Sequence, residues 1–317
     1  MSFVASSLTF LLWMVRTRRL FESEKAVSNL SNNRMIVSKA PSKVPSWLSR
    51  KYQITEQEMT SATNWTILTI KGTRKEVEEG KSMDMIFFHG GAFVVGATML
   101  HWNFIDSLME TAFKRGFGGV TITMPLYGRC PENSHADFYP LMLEYYLGRE
   151  FTSDRMVFIG DSAGGNLALS FALQLEESAN AKGPDAIVLL SPWLDLCLEN
   201  EGIKAREKED YVLARDGLVA AGKWWAGSPE KEKHPHCSPI NAKEVKQQNI
   251  HIFIGSRDIL EPDCILFASK FPKNIRLYHY EGMFHVWMLY PVPLMPEKTR
   301  AMNEIFDIIF AESIIKS

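Results

Sequence analysis

The sequence predicts an α/β protein built on a largely parallel sheet with helices on both faces. Three observations carry that expectation. Seven short apolar runs recur along the chain, at 65–70, 85–88, 119–123, 156–159, 186–190, 251–254 and 275–280. Helical patterns fall between most of them, at 102–114, 137–147, 166–177, 218–225 and 259–270, with a last one at 296–309. Short apolar strands, most of them followed by a helix, argue for a largely parallel sheet with helices on both faces. The third observation is composition: 317 residues, 46% hydrophobic and 23% charged, hold a large core and exclude a disordered chain.

The 35 basic and 37 acidic side chains leave a net charge of −2. A bulk pull toward nucleic acid or anionic lipid is therefore excluded, and no nucleic-acid partner is expected. Cys130, Cys197, Cys237 and Cys264 fit no C-x-x-C spacing and are too few for a disulfide framework. His234-Pro235-His236-Cys237 has no distant Cys/His pair to complete a metal site, so no metal is expected.

Element by element, the chain opens with an apolar stretch from Phe3 to Val15 followed by Arg16, Arg18 and Arg19. Charge after the apolar run is the reverse of a cleavable signal peptide. Thirteen helical residues reach about 20 Å, short of a bilayer core. At helical spacing Val4, Leu8, Leu11, Leu12 and Val15 share one face, as in an amphipathic helix that lies on the protein or on a membrane. The expected location is cytoplasmic, with the endoplasmic reticulum or another membrane surface, contacted through residues 3–19, as the alternative. Residues Phe21 to Gln57 read as a polar, mixed stretch, and Lys71 to Lys81 as an exposed hairpin-like turn. Glu199 to Asp210 is a charge run expected to form a solvated connection or part of a cap. The division is then an N-terminal cap or amphipathic segment at 1–60 and one domain at 61–317, with a cap insertion at about 196–225.

The sharpest motif is Gly160-Asp161-Ser162-Ala163-Gly164, between the strand pattern Met156–Ile159 and the helix pattern from Asn166. A serine on a sharp strand-to-helix turn has its hydroxyl pushed out above the sheet edge, and flanking glycines remove side chains that would crowd it. Such a hydroxyl needs a base that a third group orients. Downstream, Asp258 follows the run His251–Ile254 and His285 follows the run Ile275–Tyr280. Both sit on loops past strand ends, the edge where open α/β sheets build their sites. Asp263 competes with Asp258 for the acid role. His89-Gly90-Gly91-Ala92-Phe93, straight after Met85–Phe88, offers backbone N–H donors with little side-chain crowding, suited to an oxyanion. Neither G-x-G-x-x-G nor a Walker lysine is present, which argues against a phosphate loop. Met283, Phe284, Trp287, Trp224 and Trp225 read as core or pocket wall.

These motifs, with Gly165-Asn166, Ser191-Pro192-Trp193-Leu194-Asp195 and His285-Val286-Trp287, closely resemble the hormone-sensitive-lipase-like α/β-hydrolases from about Ile86 to Ile309. Within that family the chain is most similar to short-chain esterases and monoterpene lactone hydrolases. The resemblance implies an α/β-hydrolase fold with a small helical cap. It also implies Ser162 as nucleophile, Asp258 as acid and His285 as base. The N–H groups of Gly90, Gly91 and Ala163 would form the oxyanion hole, with His89 and Asp161 as supporting motif residues. The activity implied is hydrolysis of carboxylic esters of short to medium acyl chains, or lactones, through an acyl-enzyme and without a cofactor. Alternatives are a membrane-associated deacetylase of sterol or other lipid acetates, an amidase or formamidase, and a non-catalytic receptor on the same fold. Two departures stand out. Ala92 occupies a position where many members have a third glycine, and Tyr127-Gly128-Arg129-Cys130-Pro131-Glu132 shifts an arginine by one place.

Overall fold

The computed structural model describes residues 21–32, 43–60, 65–73, 81–149, 151, 153–178, 181–290 and 295–311. The apolar face expected at residues 3–19 lies outside them. Eight strands form one sheet: β1 Gln53–Thr60, β2 Trp65–Thr73, β3 Lys81–Phe88, β4 Phe117–Leu126, β5 Arg155–Asp161, β6 Ala186–Leu190, β7 Ile250–Gly255 and β8 Ile275–Tyr280. Their order across the sheet is β1-β2-β4-β3-β5-β6-β7-β8. The pairs β1–β2 and β2–β4 are antiparallel and the others parallel. This is a mostly parallel α/β-hydrolase sheet. All seven expected strands are present, most of them longer at one or both ends than their apolar runs.

The helices are α1 Glu24–Asn32, α2 Ser46–Lys51, α3 Met99–Lys114, α4 His135–Leu147, α5 Ala163–Glu177, α6 Ile203–Glu207, α7 Arg215–Ala226, α8 Pro229–Glu232, α9 Glu261–Lys270 and α10 Pro296–Ile309. Neighbouring residues of β3 show how two layers clasp the sheet, because successive side chains of a strand point to opposite faces. Phe87 meets Phe104 of α3 at 5.5 Å between ring centroids. Phe88 turns the other way, to Phe138 of α4 at 6.3 Å and Phe171 of α5 at 6.2 Å. Phe87, Phe88, Phe138, Phe158 and Phe171 are all fully buried, so the core spans both faces.

Three expectations are corrected. The stretch 21–57 carries α1, α2 and most of β1; β1 escapes a pattern reading because its side chains are mostly exposed, and it is held by backbone pairing with β2 and by Ile54 and Met59 on the core. Lys71 to Lys81 does not join paired strands, since β4 lies between β2 and β3. The charge run 199–210 is not simply solvated: Ile203 and Asp210 are fully buried. Residue 21 docks on α7, where the Gly217 N–H donates to the Phe21 carbonyl at 3.1 Å.

The parallel strands set their C-terminal ends along one edge, and the loops that follow β3, β5, β6, β7 and β8 gather there. Backbones at this edge approach so closely that two glycines of the Ser162 motif are obligatory. A Cβ on Gly160 would lie 2.2 Å from the Gly164 carbonyl oxygen, and one on Gly164 would lie 1.9 Å from that of Phe88. Backbone cannot retreat from such an overlap without moving a strand. Gly164→Ala is therefore expected to cost about 1–3 kcal/mol of stability, read as a fall of several degrees in Tm; an unchanged Tm would show that the elbow is looser than these distances require.

Candidate active site

Ser162 stands between the last residue of β5 and the first of α5, with φ 53° and ψ −120°. A non-glycine residue at positive φ costs about 1–3 kcal/mol and persists only where the surroundings hold it. Here its N–H donates to the Leu190 carbonyl at 2.9 Å, and its own carbonyl accepts from the Trp193 N–H at 3.0 Å. The turn also places Ser162 directly before the unpaired amides of a helix N-terminus, where partial positive charge gathers.

The loops after β7 and β8 are stitched together before they reach their functional residues. The Ser256 N–H donates to the Tyr280 carbonyl at 3.0 Å and the Arg257 N–H to that of Met283 at 2.9 Å. The Gly282 N–H donates to Ser256 Oγ at 2.8 Å, and the Val286 N–H to Ser191 Oγ at 3.1 Å. Held this way, His285 Nδ1–H donates to Asp258 Oδ2 at 2.9 Å, with both side chains buried. Burial pushes the imidazole pKa down, but Asp258, then Asp210 and Asp161, outweigh it and leave His285 above its ordinary value. An imidazole whose Nδ1 is held by a carboxylate presents Nε2 as a base.

Asp263, the competing acid, does not meet His285. It is fully buried, and neither of its oxygens has a hydrogen-bond partner among the described residues. Burial first, then the Asp195 carboxylate, push its pKa up to about 7, with Asn200 and Lys270 opposing.

The loop after β3 is pinned at both ends. Asp161 Oδ1 accepts the Gly90 N–H at 2.9 Å, and His101 Nε2 reaches Asp161 Oδ2 at 3.3 Å. The Thr98 N–H donates to His101 Nδ1 at 2.8 Å, which leaves the ring proton on Nε2 to face Asp161. Burial opposes ionisation of Asp161, but His101 and the Gly90 amide together hold its pKa below the usual value. His89 packs beneath the loop, stacked on Tyr127 at 4.4 Å, with its Nδ1–H on the Gly90 carbonyl at 2.8 Å. Burial, then His101, push its pKa down to about 3, so the ring is neutral. Tyr127 also donates its hydroxyl to the His89 carbonyl at 3.0 Å, and the Cys130 N–H donates to the Phe93 carbonyl at 2.9 Å, so the segment that departs from the resemblance still supports this loop.

Gly90 had been expected to donate to an oxyanion, and here its N–H is taken by Asp161. Past it the backbone runs through positive φ at Gly91 (121°), Ala92 (51°) and Phe93 (60°). The N–H groups of Gly91 and Ala92 donate to no group among the described residues, while the Gly91 carbonyl accepts from Val94 and Val95 at 3.0 and 2.8 Å. Ala163, first in α5, likewise keeps its N–H unpaired. Sequence reasoning passed over Ala92 as a donor, His101 and Asp210. A histidine three residues after Thr98 at a helix start was the one available signal, a capping box closed by His101.

Among the described residues no group of three or more His, Cys, Asp or Glu side chains is placed to hold a metal. No helix among them is long and apolar enough to cross a membrane.

A family model described as an alpha/beta hydrolase fold matches residues 85–289, which include each of these loops. The chain belongs to the hormone-sensitive-lipase-like α/β-hydrolase family. An acetyl-hydrolase of Streptomyces hygroscopicus is 27% identical over 246 residues, 74% of this chain and 77% of that protein. An esterase of Acinetobacter venetianus is 24% identical over 251 residues, 77% of this chain and 80% of that one. A crystal structure of an esterase from the bacterial hormone-sensitive lipase family superposes with a TM-score of 0.68 at 18% identity, covering 90% of this chain and 97% of that one. At that identity the superposition speaks for the fold alone.

The unpartnered Asp263 gives this hydrolase a defined pH response. The unfolded carboxyl titrates near about 3.9, whereas the folded one stays protonated to about 7. The native state thus holds the extra proton, and stability falls as pH rises from about 4 through 7. Asp263→Asn removes the charge and is expected to raise the unfolding free energy at pH 8 by about 1–3 kcal/mol, a gain that vanishes near pH 4. Urea unfolding at several pH values checks this, and a pH-independent difference would count against it.

Proposed function

We propose that Ser162 is the nucleophile, His285 the general base and Asp258 the residue that orients the base. The chain is a carboxylic ester hydrolase of its family; the roles of individual residues are the reading offered here. The observation that carries it is the buried His285–Asp258 hydrogen bond at 2.9 Å, on loops gathered at the sheet edge that also presents the Ser162 elbow. His285 takes the hydroxyl proton as Ser162 attacks the ester carbonyl, and the imidazolium that forms is held by Asp258. The imidazolium then gives that proton to the departing alkoxide, which leaves as the alcohol and yields the acyl-enzyme. Water, deprotonated by the same imidazole, adds to the acyl carbon and expels Ser162 with the proton returned, releasing the acid. Negative charge on the former carbonyl oxygen meets the N–H groups of Gly91, Ala92 and Ala163. Gly90 serves instead as the fixed point of the loop, through Asp161. Preorganised donors of this kind supply several kcal/mol each.

The substrate class proposed is small esters with short acyl groups, acetate foremost, which is supported by a relative named as an acetyl-hydrolase. Part of the alcohol or acyl site would come from a cap of residues 21–32 and 203–226, joined where Phe21 docks on α7. The apolar residues of 3–19 offer a membrane-facing alternative for larger lipid acetates. A panel of p-nitrophenyl esters of rising chain length, with lactones and anilides beside it, tests the class; faster turnover of the anilides would favour an amidase.

Ser162→Ala is expected to lower kcat by about 10⁶-fold and Asp258→Asn by about 10⁴-fold. Asp263→Asn should leave kcat near wild type. Reversal of the two aspartate effects would show that the acid is misassigned. The acid limb of kcat/KM should have its midpoint above about 6.5, the value of a free imidazole, because the carboxylates around His285 raise it. Deletion of residues 1–19 separates pocket wall from anchor. A rise in KM confined to longer acyl chains supports the first, and release from a membrane pellet with unchanged kinetics supports the second.

A further inference from the structure

Asp210 closes the charge run 199–210 yet is fully buried. Its Oδ1 accepts the N–H groups of Val212 and Leu213 at 2.7 and 2.8 Å, and its Oδ2 accepts that of Ile259 at 2.8 Å. Ile259 directly follows Asp258, whose own Oδ1 takes the Leu260 N–H at 3.0 Å and whose Oδ2 takes His285. A single carboxylate therefore ties the segment between α6 and α7 to the loop that carries the acid. Arg206, on α6, reinforces the tie with two bonds to Glu261, at 2.9 and 3.1 Å.

We infer that Asp210 is a positioning residue for the hydrolytic site: it sets the Asp258 loop through the Ile259 amide and places a second negative charge behind the His285 imidazole. The inference rests on the triad proposed above. Three backbone amides alone could be served by a neutral acceptor, without the cost of burying a like charge beside Asp258. That cost is visible, since burial and then Asp258 push the Asp210 pKa up to about 6, against His285 and the amides of Leu213 and Ile259. The groups that act on the imidazole are Asp258, Asp210 and Asp161. The Tyr290 phenol faces the same three carboxylates, and the Cys264 thiol faces Asp258; burial keeps both protonated. When ionised, Asp210 favours the imidazolium that forms as the Ser162 proton moves.

The test is Asp210→Asn, assayed on p-nitrophenyl acetate from about pH 5 to pH 9. A displaced acid loop should lower kcat by about 10–100-fold, with KM within about twofold of wild type. Loss of the charge should also move the acid limb of kcat/KM to lower pH, and Asp210→Glu should retain the wild-type midpoint. An unchanged kcat and midpoint would overturn the inference. So would a lower kcat with an unmoved midpoint, which is what a purely structural role gives. If Asp210→Asn does not fold, the wild-type protein still decides. The low-field NMR resonance of the His285 Nδ1 proton should titrate in two steps, its own and a second from Asp210 above the usual carboxylate range, and a single step overturns the inference. Asp258→Asn assayed in parallel keeps the two readings apart. An active Asp258→Asn refutes the triad, whereas an inactive one beside a fully active Asp210→Asn refutes only the role of Asp210.

Discussion

The buried Asp161 carboxylate is the constraint on which the rest of the site depends. It ends β5, immediately before Ser162, and each of its oxygens has a separate duty: one holds the Gly90 amide and the other faces His101. A carboxylate removed from water is costly unless it is hydrogen-bonded, so these two contacts are what permits it there. Once present, it locks three elements together. The elbow, the loop after β3 and the start of α3 cannot shift independently, because His101 is also the residue that receives the Thr98 amide.

Rigidity at this point has a chemical use. Ser162, Ala92 and Phe93 all hold positive φ, which none of them adopts readily. Strain of that kind survives only if the neighbouring backbone leaves no alternative. The close approach of Gly164 to Phe88 and of Gly160 to Gly164 removes the alternatives from one side, and Asp161 removes them from the other. The amides of Gly91, Ala92 and Ala163 are thereby left without partners among the described residues, so on the proposed reading no hydrogen bond among those residues has to break before they receive a developing charge. Donors fixed in advance are worth more than donors that must reorganise.

Much of this architecture is legible in the sequence for a simple reason. A buried parallel strand must be largely apolar, so β5 and β6 announce themselves, and a glycine-flanked serine between strand and helix has few other uses. The antiparallel edge gives no such signal. β1 carries Gln53, Glu56 and Glu58, exposed side chains held in place by the backbone of β2, and nothing local distinguishes it from a loop. The limits at the site have a different origin. Gly90 and Gly91 look equivalent as neighbours, and only the approach of Asp161 from another strand commits one of them. Asp210 lies in a charge run that reads as solvated, and its burial follows from the docking of the segment after α6 on the acid loop, a contact 49 residues away in the chain.

Four buried aspartates show why burial alone does not assign a role. Asp161 is held below the usual carboxylate range because His101 and an amide outweigh its desolvation. In Asp263 the Asn200 side chain and Lys270 do not offset burial and Asp195, and the pKa is pushed up to about 7, which makes it a poor source of charge for a base. Asp210, at about 6, lies between them: amides and an imidazole favour its charge, and Asp258 opposes it. Only Asp258 bonds the imidazole directly. An acid that orients a base must stay ionised through the working pH and must touch the ring. Asp263 fails on contact, Asp161 faces His101 instead, and Asp210 acts through the Ile259 amide and its field. On the proposed reading two tasks are separate, orientation by Asp258 and support of the charge by the carboxylates behind it. That separation would let the segment between α6 and α7, through Asp210, bear on the chemistry without touching the substrate.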